Sequence, residues 1–267
     1  MATLRFTILG CGSSGGVPRL GGDWGICDAT NPKNRRRRCS MLVERIAGDA
    51  ITRVLIDTSP DMREQLLDAQ VGTLDGVVFT HSHADHTHGI DDLRQIVFNM
   101  KRRLPVWADA PTQNALISRF AYAFMQPEDS PYPPILDLHS IDGAFDVDGP
   151  AGPIHFQPFL VDHGAMDALG FRVGPLAYLP DVVRIPDAVW PVFDGLECWV
   201  LDALRRKPHP THAHLALSLQ WIAKVQPTQA VITNMHLDMD YETLVHELPP
   251  TVSPAFDGRV ITFENQP

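Results

Sequence analysis

The run Thr80-His81-Ser82-His83-Ala84-Asp85-His86 puts three imidazoles and a carboxylate within six residues. It follows directly on Gly76-Val77-Val78-Phe79, an apolar stretch that reads as a buried strand. The pattern His-x-His-x-Asp-His supplies donors for two adjacent metal ions. His81 and His83 alternate in an extended turn and can share one ion, while Asp85 and His86 turn toward a second. Imidazole suits zinc and similar transition metals, and a carboxylate tolerates harder ions. Paired dications lower the pKa of water from ~15.7 to near 7 and neutralise charge on a phosphate under attack. The same pair also suits a thioester or a β-lactam carbonyl, so the metals alone do not choose the substrate.

The elements around this run follow a strand–helix rhythm. Strands are expected over 4–9, 41–46, 54–57, 76–80, 106–108, 154–161, 171–173, 176–179, 198–201, 230–233 and 260–263. Helices are expected over 60–69, 90–100, 112–124, 215–225 and 241–248. The proline-rich piece 126–135 reads as a loop between elements, and no linker or repeat divides the 267 residues, so a single domain over 1–267 is expected. Composition is that of an ordinary soluble globular protein, 44% hydrophobic and 20% charged. No run approaches a membrane span, and the first residues lack the apolar region of a signal peptide. A net charge of −10 disfavours a broad nucleic-acid surface. The four cysteines, Cys11, Cys27, Cys39 and Cys198, form no Cys-x-x-Cys pair, so reduced thiols and a cytoplasmic location are expected.

The His-x-His-x-Asp-His run resembles the signature of the metallo-β-lactamase superfamily, which adds a lone His, an Asp shared by the two ions, and a last His. The matching positions are His163 in Leu160-Val161-Asp162-His163-Gly164, Asp181 in Tyr178-Leu179-Pro180-Asp181, and His236 in Ile232-Thr233-Asn234-Met235-His236. The resemblance implies an α/β (α+β) protein of the αββα four-layer sandwich type. It assigns His81, His83 and His163 to one metal and Asp85, His86 and His236 to the other, with Asp181 bridging. The implied cofactors are two divalent ions per chain, zinc or manganese, with iron admitted by the ligand set.

The flanking motifs narrow the resemblance. Gly10-Cys11-Gly12-Ser13-Ser14-Gly15-Gly16-Val17-Pro18, Arg35-Arg36-Arg37-Arg38-Cys39-Ser40, Leu55-Ile56-Asp57-Thr58-Ser59-Pro60, Gly170-Phe171-Arg172-Val173 and Thr211-His212-Ala213-His214-Leu215 are similar to the PhnP-like branch, the phosphoribosyl cyclic phosphodiesterases. This similarity implies a small cyclic phosphodiester as substrate; with the acidic charge and no apolar span, neither nucleic acid nor membrane is expected as partner, and a homodimer is compatible with the sequence. It places His212 as the general acid for the leaving alkoxide, acting with Asp85 as the catalytic pair. The branch's type member binds a structural zinc through a Cys-x-Cys-x-x-Cys cluster. Here only Cys27 remains in Gly22-Asp23-Trp24-Gly25-Ile26-Cys27-Asp28, so that site is expected to be missing and Trp24 to anchor the loop.

Three further readings rest on the residues themselves. The glycine-rich opening lacks the Lys-Ser/Thr ending of a nucleotide P-loop and reads as a tight turn at the rim of the metal pocket. Asp57 ends a strand and is expected to hydrogen-bond a ligating histidine, fixing its tautomer. One of Arg35 to Arg38 is expected to hold a substrate phosphate, with a solvated face as the alternative. His209 and His214 read as supporting or surface residues. The other functions compatible with the motifs are a tRNA 3′-processing nuclease, a thioester hydrolase of the glyoxalase II kind, and a non-catalytic relative that binds metal or metabolite.

Overall fold

The computed structural model describes residues 2–126, 128 and 130–266, with the backbone alone described at 265 and 266. In chain order the elements are β1 (Ala2–Gly10), β2 (Ser40–Ala47), β3 (Ala50–Ile56), α1 (Met62–Asp68), β4 (Gly76–Val78), α2 (Ala84–Thr87), α3 (Leu93–Met100), β5 (Leu104–Ala108), α4 (Ala110–Phe124), β6 (Leu136–Ser140) and β7 (Phe145–Val147). There follow β8 (Ile154–Asp162), β9 (Asp167–Val173), β10 (Leu176–Leu179), β11 (Cys198–Asp202), α5 (Leu215–Val225), β12 (Gln229–Thr233), α6 (Tyr241–Glu247), β13 (Val252–Pro254) and β14 (Arg259–Gln266). They build two compact units, each assembled from separated stretches of chain. The first comprises residues 1–9, 40–155 and 260–267, and the second residues 10–39 and 156–259.

In the first unit the sheet order is β14-β1-β2-β3-β4-β5-β6. β2 and β3 are antiparallel, while β3, β4, β5 and β6 run parallel. Parallel strands need both faces covered, which is why they read as continuous apolar runs rather than alternating ones. One face carries Leu9, Leu42, Leu55, Val77, Phe79 and Val106 against Met62, Leu66, Leu93, Ile96 and Leu116 from the helices. Because Ile56 pairs with Val78, the carboxyl ends of β3 and β4 lie side by side.

In the second unit the sheet runs β13-β12-β11-β10-β9-β8. β8, β9 and β10 form an antiparallel meander, and β10 to β13 are parallel. Leu179 pairs with Leu201, and Leu201 with Ile232, so three strands end abreast. The carboxyl ends of parallel strands are where open α/β sheets place their ligands.

The second unit also folds in the amino-terminal loop. Cys11 and Met235 bond across it, Met235 N–H donating to Cys11 O (2.8 Å) and Ser13 N–H to Met235 O (3.3 Å). Farther along, Ile26 N–H donates to Leu237 O (3.0 Å). Gly25 has φ +57°, and a Cβ there would come within 2.5 Å of Leu237 Cβ, so only glycine permits this approach. Trp24 packs on the cluster of Val17, Cys27 and Leu237, the packing anchor expected where the cysteine cluster is missing. All four cysteines are buried and free.

Asp240 caps α6 and gathers four donors: Thr243 N–H (2.9 Å) and hydroxyl (2.9 Å), Asp28 N–H (3.1 Å) and the Asn34 amide (2.7 Å). Burial alone would raise its carboxyl, but these donors hold it down to about 2, below the ordinary 3.8. Its stabilising effect is therefore complete above the ordinary carboxylate range and fades as pH falls through about 2. Asp240→Ala is expected to lower stability by about 1–2 kcal/mol at neutral pH. Urea unfolding at pH 7 and pH 3 checks this, since the gap between the two proteins should narrow at the lower pH.

Several elements differ from the sequence reading. β6, β7, β13 and the short α2 are absent from the expected elements; β7, β13 and α2 have only three or four residues each. The expected helix 90–100 opens with a 3₁₀ turn, Ile90–Asp92, before α3. The proline-rich loop includes residues 127 and 129, which lie outside the described residues. Among the described residues no helix is long and apolar enough to cross a membrane.

Candidate metal centre

The first unit presents His81, His83, Asp85 and His86 in the turn after β4 and the first turn of α2. The turn is held from two sides. Asp57, just past β3, adopts φ +63°, a left-handed conformation that aspartate and asparagine tolerate better than most residues other than glycine. That backbone turn aims its carboxylate at the next strand end, where it accepts from Thr80 N–H (2.8 Å), the Thr80 hydroxyl (2.8 Å) and His86 Nδ1 (2.7 Å). From the other side Arg119 of α4 donates to Ser82 O, between His81 and His83. Burial raises the Asp57 carboxyl, while the His86 imidazole and the Thr80 donors pull it back.

These bonds fix the tautomers. His86 donates through Nδ1 to Asp57, so its Nε2 carries the lone pair. The Thr80 hydroxyl gives its proton to Asp57 and accepts from His81 Nδ1 (3.0 Å), so His81 also presents Nε2. His81 Nε2 stands 2.9 Å from His83 Nδ1, and His86 Nε2 stands 3.5 Å from Asp85 Oδ2. Asp57 thus orients His86, the role expected of it from its place at a strand end.

The second unit presents His163, Asp181 and His236 beyond β8, β10 and β12. His163 donates through Nδ1 to Thr211 O (2.7 Å), and its Nε2 faces Asp181 Oδ2 at 3.4 Å. Asp181 is buried, and its Oδ1 accepts from Asn234 Nδ2 (3.1 Å). The same amide donates to Pro180 O (3.0 Å). Asn234 has φ +60°, the second left-handed residue at a strand end. His236 places Nδ1 3.5 Å from Asp238 Oδ1 and Nε2 2.6 Å from Arg19 Nη2. Burial and then the Arg19 charge lower the His236 pKa.

His212 lies at the edge of the same group, its ring 4.7 Å from that of His163 and 5.2 Å from that of His209. Its Nδ1 is 2.9 Å from Asp202 Oδ2 and 3.2 Å from Asn234 Nδ2. Both amide hydrogens of Asn234 are committed to Pro180 and Asp181, so Nδ1 donates to Asp202. Asp202 is fully buried at the end of β11; burial raises its carboxyl, and the adjacent imidazole pulls it back. His214 is the residue before α5 and makes no side-chain cap. Asp202, Asn234 and the Thr211 carbonyl carry no signal in the sequence. Their partners become visible only once β10, β11 and β12 are in register.

The donor set fits divalent metal. In both units an imidazole nitrogen faces a carboxylate oxygen at 3.4–3.5 Å, a pair of donors that a divalent cation between them would satisfy. Nitrogen and carboxylate oxygen donors in this mixture suit zinc, manganese or iron.

The arginine run divides. Arg36 is buried, donating to Met239 O (2.6 Å) and Asn34 Oδ1 (3.1 Å) and lying 3.9 Å from Cys27 Sγ, so it is an internal anchor. The Arg37 backbone donates to the Asp257 carboxylate (2.8 Å). Arg94 pairs with Asp91 at 2.9 Å on the surface.

Residues 52–235 match the family described as Beta-lactamase superfamily domain. A solved structure of a diphosphatase from the PhnP family is 35% identical, covers 98% of this chain and 98% of its own, and superposes with a TM-score of 0.88. The chain belongs to the β-lactamase superfamily, in its PhnP-like branch. The fold class is the metallo-β-lactamase type that the motifs implied, and family membership makes the chain a metal-dependent hydrolase domain. An octanoyltransferase of Porphyromonas gingivalis (strain ATCC BAA-308 / W83) is 32% identical over 262 residues, 96% of this chain but 51% of that protein. The chain thus spans about half the length of that curated relative. Zinc-bound PqqB from Methylobacterium extorquens, 16% identical with a TM-score of 0.72 over 96% of this chain and 99% of its own, shares the fold.

Proposed function

We propose that the protein is a dinuclear metal-dependent phosphodiesterase acting on a small cyclic phosphodiester, such as a phosphoribosyl 1,2-cyclic phosphate or a related cyclic nucleotide. The carrying observation is the His212–Asp202 pair. A sugar alkoxide is a poor leaving group and must be protonated as the P–O bond breaks, and an imidazole whose far nitrogen is anchored on a buried carboxylate is built to give that proton. A thioester expels a thiolate that needs no such donor. The kinship with a PhnP-family diphosphatase supports phosphorus–oxygen chemistry in the same direction. The octanoyltransferase name belongs to a protein about twice as long, and nothing in the His212 segment favours acyl transfer.

Under this reading His81, His83 and His163 hold one divalent ion, Asp85, His86 and His236 a second, and Asp181 is shared, with zinc or manganese as the metal and iron admitted. Such ions supply a nucleophilic water at neutral pH and charge neutralisation at the phosphate. The remaining work falls to the chain's own groups: the Asp57 side chain and the Thr211 carbonyl fix ring orientation, Asp85 serves ligation and catalysis, and His212 protonates the product hydroxyl. We treat 1–267 as one working domain. The acidic net charge favours a small-molecule substrate over nucleic acid. We propose cytoplasmic residence, which the free, buried thiols support, and a homodimer as the assembly.

The test is a three-substrate comparison on protein of measured metal content, using bis-p-nitrophenyl phosphate, an acyl thioester and a nitrocefin-type lactam. We expect close to two ions per chain and turnover of the phosphodiester far above the other two. Chelation should abolish that turnover, and added manganese or zinc should restore it. Preferred thioester cleavage would overturn the reading.

A further inference from the structure

The turn that follows the glycine-rich opening delivers an arginine to a proposed metal ligand. Arg19 N–H donates to Asp23 O (2.9 Å) and Gly22 N–H to Arg19 O (3.0 Å), closing a turn whose third residue, Gly21, has φ +92°. That is the glycine position of a type II turn. The aliphatic part of Arg19 lies over Gly15, where an added Cβ would stand 3.4 Å from Cγ and 3.7 Å from Cδ. The guanidinium ends 2.6 Å from His236 Nε2. Among the described residues no carboxylate pairs with Arg19, although it is exposed and the chain is acidic.

A structural arginine is normally tied to a carboxylate or to carbonyls, as Arg36 is to Met239 and Asn34. Arg19 is instead propped along its stem and aimed at an imidazole lone pair. His236 Nε2 has one lone pair, so a metal and the guanidinium cannot use it together. With a metal on that lone pair, the planar fork would have donors unspent, while the stem has its own rest on Gly15. A guanidinium fork matches two phosphate oxygens at once.

We propose that Arg19 is the residue that clamps the substrate's phosphate at this centre, holding its oxygens by paired hydrogen bonds beside the ion on His236. The proposal rests on the phosphodiesterase reading and assigns to Arg19 the part expected of the run Arg35 to Arg38.

The experiment titrates inorganic phosphate by calorimetry into the metal-loaded full chain as wild type, Arg19→Ala and Arg19→Lys, with metal content measured for each. Arg19→Ala is expected to weaken phosphate roughly ten- to hundredfold, the usual range for one charge-assisted contact. It should keep its metal, held at least as tightly against a chelator because the competing guanidinium is gone. Arg19→Lys should recover only part of the affinity, lacking the fork. Unchanged phosphate affinity in Arg19→Ala overturns the proposal. So does loss of metal in that variant, which would show the arginine holding His236 instead. Failure of the wild type to cleave any phosphodiester counts against the reaction, and the phosphate titration still decides Arg19 separately.

Discussion

Asp181→Ala is expected to strip the purified protein of at least one metal ion per chain and to abolish nearly all hydrolysis. The carboxylate is buried, with Oδ1 fixed by the Asn234 amide and Oδ2 aimed at the His163 lone pair 3.4 Å away. Under the proposed ligand set it is the one group shared by both ions, so its removal takes a negative charge from each. Asp181→Asn is the sharper variant, because it keeps size and one acceptor while losing the charge. It should bind metal more weakly than wild type and turn over far more slowly. Metal analysis beside bis-p-nitrophenyl phosphate turnover reads both effects. A fully loaded, active Asp181→Ala protein would remove Asp181 from the ligand set.

His212→Ala should lower kcat by roughly 10²–10⁴-fold on a cyclic ribose phosphate, the range for loss of a general acid. Metal content should stay unchanged, since His212 belongs to neither proposed ligand set. The loss should shrink on bis-p-nitrophenyl phosphate, whose p-nitrophenolate departs without a proton. Equal losses on the two substrates would mark His212 as a group that binds the phosphate oxygens instead. No loss on either would direct attention to the thioester alternative. Asp202→Asn provides an internal check. An amide presented to Nδ1 no longer enforces the tautomer or stabilises the protonated ring, so its effect should follow the same leaving-group trend.

The proposed ligands are legible because each sits where a sequence pattern breaks. Gly76 to Phe79 announces a strand, and the histidines begin as it ends. The apolar runs before Asp181 and His236 do the same for β10 and β12. Asp57 is legible too, as an acid closing a strand. What escapes the sequence depends on lateral register. Asp181 and Asn234 are 53 residues apart with Asp202 between them, and only the pairing of Leu179 with Leu201 and Leu201 with Ile232 sets the three abreast. Arg36 reads in the sequence as one of four arginines that either hold a phosphate or face solvent, whereas a buried path between Asn34 and Met239 consumes it. Arg19 carries no signal, because its role arises from a turn geometry and from a partner 217 residues away.

The bonding of the amino-terminal loop to the 235–237 segment has a consequence for biosynthesis. Cys27 and Leu237 lie 210 residues apart, so the loop leaves the ribosome long before its partner exists. At translation rates of about 5–20 residues per second, that interval is roughly 10–40 s. Three of the four thiols, Cys11, Cys27 and Cys39, belong to the waiting stretch and are buried only after the late strands arrive. During that interval the nascent chain displays uncovered sulfur while the histidines of the 81–86 turn are already synthesised. Until β12 is complete, those thiols lack the late partners that bury them in the finished fold.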